Sequence, residues 1–448
     1  SFTALKAGGD VELVGIEGLT LAAYSLEVEV NTGTLGAVIN FNANPLDIQT
    51  GIGADGMRRI DAAGTLVAAS GFVVLGIEEY VFLAGQLSFT QGGVLTADTN
   101  TATPKDFSVT SISGSGITAF VGTNGPYFAV DFDGAGVPFL VSPDPLTTQA
   151  TGLTITNLSF DLVLLNQTEV IGTQRVAVDG GEKYTALYAT INEVAVIGVE
   201  GLLLKGTGIE LVVNQGKQGT APVSGFDFTD TTGLDAGTAV DSIEPFVTYG
   251  LNGTFLKISA SDNNGGGAQL GINVDGTTPG TIAAAQFSLA GDLTFTKTTT
   301  ASGAVFTLIT LTDLELTIGD IIVRGEAIIY LTPTGVAASF AVSPDLSFGV
   351  GATEVAFTGT VKLEINTRPT AVNIEALPGV FLTLPAGKFV RLTGENLTLT
   401  VDDTSNGVGA ELTITGSISI SQRTFGVTPN VTTRTVVAFT GVTGTVLD

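Results

Sequence analysis

Apolar and polar residues alternate one by one along much of the chain. In the stretch "LEVEVN", the apolar Leu26, Val28 and Val30 alternate with two glutamates. Successive side chains of a β-strand point to opposite faces, so this alternation predicts a strand with one apolar and one polar face. The same alternation runs through residues 153–165, 397–402 and 412–421. The fold is therefore predicted to be all-β.

A helical period of 3.6 residues does not persist for three turns anywhere in the sequence. The best candidate for a helical turn is "GADGMRRIDAAG" at residues 53–64. Many predicted strands are instead long and carry a small residue near their centre, where glycine marks a bulge or a bend. We therefore expect kinked strands at residues 107–121, 202–213, 389–401 and 410–422.

Three short elements recur along the chain in the same order, which is the signature of a repeat architecture. They occupy residues 25–33, 208–216 and 360–368 (first element), 82–91, 288–297 and 413–422 (second), and 107–122, 306–319 and 436–448 (third). Each copy of the first element, written "SLEVEVNTG" where it first occurs, carries an asparagine: Asn31, Asn214 or Asn366. The repeating unit is about 150–180 residues long, with loops absorbing the unequal spacing.

The recurrence predicts an elongated array of long, kinked and mainly antiparallel strands. A partial first repeat unit covers residues 1–105, a second unit covers 106–298, and a truncated third unit covers 299–448. Loops of unequal length favour antiparallel pairing, because a hairpin loop can vary without changing the register of its strands. A parallel β-solenoid is the alternative. Both ends fall within a unit, so we expect the chain to be part of a longer protein.

Two long stretches resemble a known kind of protein. Residues 2–33 ("FTALKAGGDVELVGIEGLTLAAYSLEVEVNTG") and 183–216 are similar to the repeats of very large bacterial proteins that often carry a LEPR-XLL motif near their start. Residues 388–401, with 410–422, resemble the other recurrent segment of those proteins, although no LEPR-XLL stretch occurs here. The resemblance implies a giant secreted or surface-attached protein that acts as an adhesin, fibre or matrix component. It carries over no catalytic residues.

The net charge of the chain excludes some classes of binding partner. The 448 residues include 43 acidic and 17 basic side chains, a formal net charge of −26. Such a surface repels phosphate groups, so the sequence predicts no nucleic-acid binding. No apolar run approaches the roughly 18–20 residues that span a bilayer, which predicts no membrane insertion. The acidic excess also opposes association between sheet edges.

Histidine, cysteine and tryptophan are all absent. Without histidine the chain lacks the commonest general base and metal ligand, and without cysteine it lacks a thiolate nucleophile. We therefore predict that the protein is not an enzyme. A large chain without thiols suits the extracellular space or the cell surface, which is its predicted location.

Acidic turns are the candidate cation sites. The candidates are Asp131 and Asp133 in "VDFDGAG", Asp262 in "SDNNGGG", and Asp402 and Asp403 in "VDDTSNG". Carboxylate and amide oxygens at flexible spacing are the ligands that calcium prefers. Asp, Asn and Gly are also the usual residues of hairpin turns. These segments are therefore either plain turns or calcium sites, and no other cofactor is expected.

Together these observations favour a structural extracellular repeat protein, a segment of a giant fibre, stalk, surface layer or matrix. Its expected partners are further repeats of the same protein, other copies of it, other cells or surface polysaccharide. The alternative is an adhesin-type binding module, in which cations stiffen loops such as residues 260–280.

Overall fold

The computed structural model describes most of the chain. The described residues are 1–33, 38–52, 56–78, 80–97, 104–125, 128–141, 149–172, 174–229, 238–261, 267–273, 277–299, 305–318, 321–350, 353–377, 379–403, 410–427 and 430–446. By their contacts, these residues form two compact units. The first consists of Ser1–Gly198 and Glu210–Lys257, and the second of Val199–Ile209 and Ile258–Asp448.

Strands dominate both units. The first part of the chain contains β1 (Phe2–Glu12), β2 (Leu19–Gly33), β3 (Leu46–Gln49), β4 (Met57–Ile60), β5 (Leu66–Ile77), β6 (Val81–Ala97), β7 (Lys105–Thr123), β8 (Ala129–Phe132), β9 (Pro138–Val141), β10 (Thr151–Ile171), β11 (Gln174–Ala177), β12 (Glu182–Ile197), β13 (Leu202–Gln218), β14 (Ala221–Val223) and helix α1 (Thr238–Tyr249). The rest contains β15 (Phe255–Ala260), β16 (Ala268–Ile272), a 3₁₀ turn (Ile282–Ala284), β17 (Phe287–Thr299), β18 (Val305–Ile318), β19 (Ile321–Thr332), β20 (Gly335–Val350), β21 (Thr353–Asn366), β22 (Val372–Leu377), β23 (Val380–Leu384), β24 (Phe389–Asp403), β25 (Ala410–Val427) and β26 (Asn430–Val446).

Twenty of these strands belong to one antiparallel sheet, and the hairpins β3–β4, β8–β9 and β22–β23 form small sheets of two strands each. Long neighbours pair along most of their length, as between β10 and β12, where Leu153 lies opposite Val196 and Leu165 opposite Tyr184. The same antiparallel order holds in both units, for example between β20 and β21. The prediction of an all-β array of long, mainly antiparallel strands is confirmed, and the parallel β-solenoid alternative is wrong.

The long strands are kinked where one exposed residue adopts the left-handed conformation. Three such residues face a glycine of the neighbouring strand: Gly116 (φ 60°) faces Gly85, Asp313 (φ 52°) faces Gly291, and Gly441 (φ 59°) faces Gly416. In each pair two residues oppose one, which defines a β-bulge. A Cβ atom on Gly85 would lie 2.7 Å from the Cα atom of Ile117, so a side chain does not fit there.

Three of the four expected kinks lie inside the strands that were predicted to bend. Gly116, Gly208 and Asn396 have positive φ within residues 107–121, 202–213 and 389–401. For residues 410–422 the prediction is displaced by one strand, because the left-handed residue is Gly441 of β26 and Gly416 of β25 is the glycine that faces it.

The copies of the first element share a buried asparagine near the end of a strand. Asn31, Asn214 and Asn366 are at most 1% exposed. Their side-chain amides bond to the main chain of the segment that follows. The bonds are Asn31 Nδ2 to the oxygens of Ile39 and Gly64 (both 2.9 Å), Asn214 Nδ2 to the oxygen of Phe226 (2.7 Å), and Asn366 Nδ2 to the oxygens of Thr370 (3.1 Å) and Pro385 (2.8 Å). Each asparagine therefore ties an insertion to the sheet.

The apolar cores lie where an insertion covers a face of the sheet. Helix α1 buries Ile243 and Phe246 against a sheet face that includes Phe107, Leu165 and Val212. The hairpin β22–β23 buries Leu382 and other side chains in the second unit in the same manner. The hairpin β8–β9 covers a third apolar cluster that contains Phe72, Phe82 and Phe120. Local insertions thus cover apolar faces of the sheet and bury them.

The second and third repeated elements form equivalent hairpins. They are the pairs β6–β7, β17–β18 and β25–β26, and each pair carries the bulge at the same place relative to its facing glycine. The repetition in the sequence therefore corresponds to a repetition in strand order and register. The boundaries at 1–105, 106–298 and 299–448 divide the chain by sequence repetition and stay a prediction.

The best sequence candidate for a helical turn, residues 53–64, is not helical at Met57–Ile60, which is strand β4 paired with β3. Residues 53–55 of that stretch lie outside the described residues. The helix that does form is α1, whose apolar residues Ile243, Phe246 and Val247 follow a helical spacing. Its end is fixed by Gly250, which has φ 73° and donates its N–H to the oxygen of Val247. The next N–H, of Leu251, reaches the oxygen of Phe246, which completes a glycine C-cap.

Candidate functional site

Asp131 and Asp133 lie at the turn of the hairpin β8–β9. The Oδ1 atom of Asp133 accepts hydrogen bonds from the N–H groups of Ala135 and Val137, both at 2.8 Å. Asp131 Oδ1 accepts the N–H of Phe132 at 2.8 Å. The bond from Ala135 to Asp133 has the geometry of an Asx turn, so Asp133 stabilises its own turn. The calcium prediction for Asp131 and Asp133 stays a prediction.

Asp262 lies outside the described residues, as do the four residues that follow it. The carboxylate that holds the edges of this insertion is Asp292 on β17. Asp292 accepts the hydroxyl of Ser261 at 2.6 Å and the N–H of Gly267 at 3.1 Å. Sequence reasoning missed Asp292 because it lies on a different strand from the acidic loop that it supports.

Asp402 and Asp403 end strand β24. Asp402 is opposite Glu354 on β21, and Asp403 is opposite Thr353. The Oδ1 atom of Asp402 is buried and, within the described parts of the chain, has no hydrogen-bond donor. Residues 404–409 lie outside the described residues. Among the residues that the structure describes, no group of three or more acidic side chains is close enough to hold a metal ion.

Ion pairs lie beside the core under helix α1. Lys105 Nζ contacts Glu182 Oε1 at 2.6 Å, and the hydroxyl of Tyr184 donates to Glu182 Oε2 at 2.9 Å. The neighbouring carboxylate of Asp106 accepts the hydroxyl of Thr96 and a guanidinium N–H of Arg175, both at 2.7 Å. The Thr96 hydrogen bond, supported by Arg175, lowers the pKa of Asp106 below its ordinary value. These groups connect side chains of β6, β7, β11 and β12 and stabilise the sheet.

A groove between helix α1 and the sheet is the best candidate site in the first unit. Tyr188 on β12 and Tyr249 at the end of α1 form its aromatic wall, with ring centroids 5.8 Å apart. Glu244, Pro245 and Thr248 of the helix complete the lining, and the groove has a volume of about 450 Å³. The helix presents these residues because Ile243 and Phe246, on its other side, are anchored in the core.

Charged groups surround this aromatic wall. Lys257 on β15 pairs with Glu210 on β13 at 3.0 Å, and its ammonium lies 5.8 Å from the ring centroid of Tyr249. Burial, followed by the charge of Glu210, raises the pKa of the Tyr249 hydroxyl well above its ordinary value. Burial also raises the pKa of Asp161, which lies opposite Tyr188 in the sheet. The hydroxyl of Tyr249 is hydrogen-bonded to Glu210, which also contributes to the raised pKa.

This arrangement has the features of a binding surface. Two tyrosine rings offer an apolar wall, and the carboxylate of Glu244 in the lining offers a hydrogen-bond acceptor. No sequence pattern predicts this groove, because Tyr188 and Tyr249 lie far apart along the chain.

A second groove lies over the bulge of β18 in the second unit. It has a volume of about 740 Å³ and is lined by Asp313, Glu315, Arg324 and Glu326, among others. Arg324 Nε donates to Glu315 Oε2 at 2.8 Å in an exposed pair. The groove exists because Asp313 is displaced from the ladder, so it follows from the bulge.

Comparison of the chain with models of known protein families finds no match, and the curated proteins include no significant match to it. Within the described residues, no helix is both long enough and apolar enough to cross a membrane.

Proposed function

We propose that this chain is a structural repeat segment of an extracellular fibre, stalk, surface layer or matrix, and that it has no catalytic role. The observation that carries the proposal is the equivalence of the hairpins β6–β7, β17–β18 and β25–β26, which share one bulge and one register. A chain that forms the same hairpin three times uses its residues for a regular ladder. Regular ladders suit proteins that bear load or span distance.

Two further features support a scaffold. The long strands are joined by continuous main-chain pairing, which satisfies their backbone N–H and C=O groups along the ladder. The net charge of −26 keeps a strand-rich surface from clumping. A location outside the cell agrees with the absence of cysteine and with the resemblance to repeats of giant bacterial surface proteins.

Small-angle scattering of the purified chain, followed by electron microscopy of the native material, tests the proposal. We expect the scattering profile of an elongated particle and, in micrographs, units that run end to end. A compact, near-spherical particle would contradict the proposal. Measurements at two salt concentrations serve as a control, because elongation caused only by repulsion between acidic side chains would decrease at high salt.

A binding module of the adhesin type is the second candidate. The tyrosine groove under helix α1 favours it, because a paired aromatic wall with polar groups at its rim fits a sugar ring or a peptide side chain. Titration of the protein with surface polysaccharides, followed by tyrosine fluorescence, tests this role. Binding that is lost in Tyr249→Ala but retained in Tyr80→Ala, a change at an exposed tyrosine, would establish the groove as the site.

A further inference from the structure

Strand β26 differs from its two equivalents in its surroundings. The equivalent strands β7 and β18 each have two antiparallel neighbours, β6 and β10 for β7, and β17 and β19 for β18. Within the described residues, β26 pairs along one edge only, with β25. All of its described side chains from residue 434 to 446 are exposed.

Five of the exposed side chains of β26 are large and apolar. They include Val436, Val437, Phe439, Val442 and Val446, and Phe439 is 65% exposed. Val436 and Val437 are adjacent, so they point to opposite faces of the strand. From Val436 onward, side chains on both faces of the strand are therefore exposed, and one edge has no pairing among the described residues. A long apolar edge of this kind is a template for pairing with another strand.

The equivalents of β26 show what fits this edge. In the second unit, β19 lies beside β18, with Ile309 opposite Ile329, Thr310 opposite Ile328 and Leu311 opposite Ala327. Asp313 of β18 and Gly441 of β26 are the left-handed residues of equivalent bulges, so these two positions correspond to each other. Counted back from the bulge, Ile309, Thr310 and Leu311 correspond to Val437, Ala438 and Phe439.

Side-chain size indicates whether a strand like β10 or a strand like β19 fits beside β26. Two residues before the bulge, β7 has Gly114, and its neighbour β10 places Phe160 opposite. At the same place β18 has Leu311, and β19 places Ala327 opposite. In both pairs, therefore, a large side chain lies opposite a small residue. Because β26 has Phe439 at this position, its complement needs a small residue, as in β19.

We infer that the open edge of β26 is a docking site for an antiparallel strand of the β19 type, supplied by a further repeat of this protein. The inference rests on the proposed scaffold function, because it assigns the joint by which one repeat is added to the next. The register follows from the β18–β19 pair: Ile329 of the incoming strand lies opposite Val437, Ile328 opposite Ala438, and Ala327 opposite Phe439. Main-chain bonds provide affinity, and the small residue opposite Phe439 sets the choice of strand.

Thiol cross-linking tests the register directly, because the chain contains no cysteine. The probes are peptides of residues 321–332 with a solubilising lysine tail, which carry either Ile329→Cys or Ile328→Cys. The full chain carries either Val437→Cys or Ala438→Cys. Opposed Cα atoms in antiparallel strands lie about 4.5 or 5.5 Å apart, and both distances allow a disulfide. In a redox buffer of reduced and oxidised glutathione, in which the oxidised form accepts the two electrons, we expect the matched pairs 437–329 and 438–328 to form at least ten times more disulfide than the crossed pairs.

Two controls isolate the edge. Leu392→Cys lies on β24, which already has β21 and β25 as neighbours, and should give only background yield. A peptide with Ala327→Phe should link less to Val437→Cys, because its phenylalanine would oppose Phe439. Equal yields in matched and crossed pairs would overturn the inference. It would also be overturned if the unlabelled protein formed dimers on size exclusion and Val437→Cys linked to its own copy, since β26 would then pair with β26.

The outcomes separate this inference from the proposed function. An elongated particle without register-specific cross-links would retain the scaffold and reject the docking site. Register-specific cross-links on a compact particle would retain the docking site and reject the scaffold.

Discussion

The side-chain amide of Asn214 pairs with the main chain of Phe226 in both directions. Asn214 Nδ2 donates to the Phe226 oxygen at 2.7 Å, and Asn214 Oδ1 accepts the Phe226 N–H at 3.1 Å. Both residues are buried, so this pair replaces the bonds that the Phe226 peptide group would otherwise make to water. The asparagine thereby fixes the first residues of the insertion that contains helix α1.

Asn214→Ala should destabilise the protein markedly. It leaves the buried N–H and carbonyl of Phe226 without partners, a loss of about 1–3 kcal/mol in the free energy of unfolding. Urea denaturation measures this change. Asn252→Ala is the matched control, because Asn252 donates to Asp227 in an exposed pair and its loss should cost far less. Equal effects of the two changes would contradict the role given to Asn214.

Gly85→Ala should also destabilise the protein, for a different reason. The new methyl group would lie 2.7 Å from the Ile117 Cα atom, and the backbone of the bulged strand cannot move away without losing pairing. Overpacking of this kind costs about 1–3 kcal/mol. Thermal melting checks the result, with Gly134→Ala as the control, since nothing lies within 4 Å of a Cβ atom there. If Gly85→Ala melted at the same temperature as the parent chain, the steric explanation for the glycine at this bulge would be wrong.

Asp106 should contribute to loss of stability in acid. Its pKa is lowered in the folded state, so its stabilising effect is present above the ordinary value of 3.8 and is lost as the pH falls through the lower folded value. Asp106→Asn should therefore reduce the drop in melting temperature between pH 7 and about pH 3. Thr96→Val, which removes the first cause of the shift, should act in the same direction. A drop that is as steep in both variants as in the parent chain would argue against this account.

Tyr249 should contribute to loss of stability in alkali. Its pKa is raised in the folded state, so the unfolded chain releases the phenolic proton first as the pH rises above the ordinary value of 10.0. Stability attributable to this hydroxyl is therefore present below that pH and is lost above it. Tyr249→Phe keeps the ring and should flatten the decline in melting temperature above about pH 10. Tyr80→Phe, at an exposed ring outside the groove, controls for general effects of losing a phenol.

The calcium prediction for Asp402 has a direct test. The buried Oδ1 atom without a donor among the described residues is what a cation would satisfy. If calcium binds there, millimolar calcium should raise the melting temperature of the parent chain, and Asp402→Asn should remove that increase. Asp133→Asn is the control, because Asp133 already bonds to two N–H groups of its turn. A midpoint that is the same in calcium and in chelator would end the prediction.

Local pattern was enough to predict the strands but not what covers them. Alternation identified stretches such as residues 153–165, and central small residues identified most of the kinks, because both signals depend on near neighbours along the chain. Helix α1 was missed because it is short, contains Pro245 and owes its stability to core contacts of Ile243 and Phe246. The groove was missed for a related reason, since Tyr188 and Tyr249 meet only through the packing of that helix.

The repeated asparagine shows the same limit. The sequence marked Asn31, Asn214 and Asn366 as equivalent, yet their task depends on main-chain atoms up to tens of residues away. Composition also suggested acidic turns as ion sites without separating the two interpretations. At Asp133 the geometry shows which atoms the carboxylate bonds, and they belong to its own turn.

The anchoring asparagines have a consequence for how such a chain can change. Each one bonds only to main-chain groups, so these hydrogen bonds do not depend on which side chains the bonded segment carries. A helix follows Asn214, whereas small hairpins follow Asn31 and Asn366. The sequence of each insertion can therefore change during evolution, or by design, and form a new recognition surface without altering the strands of the ladder.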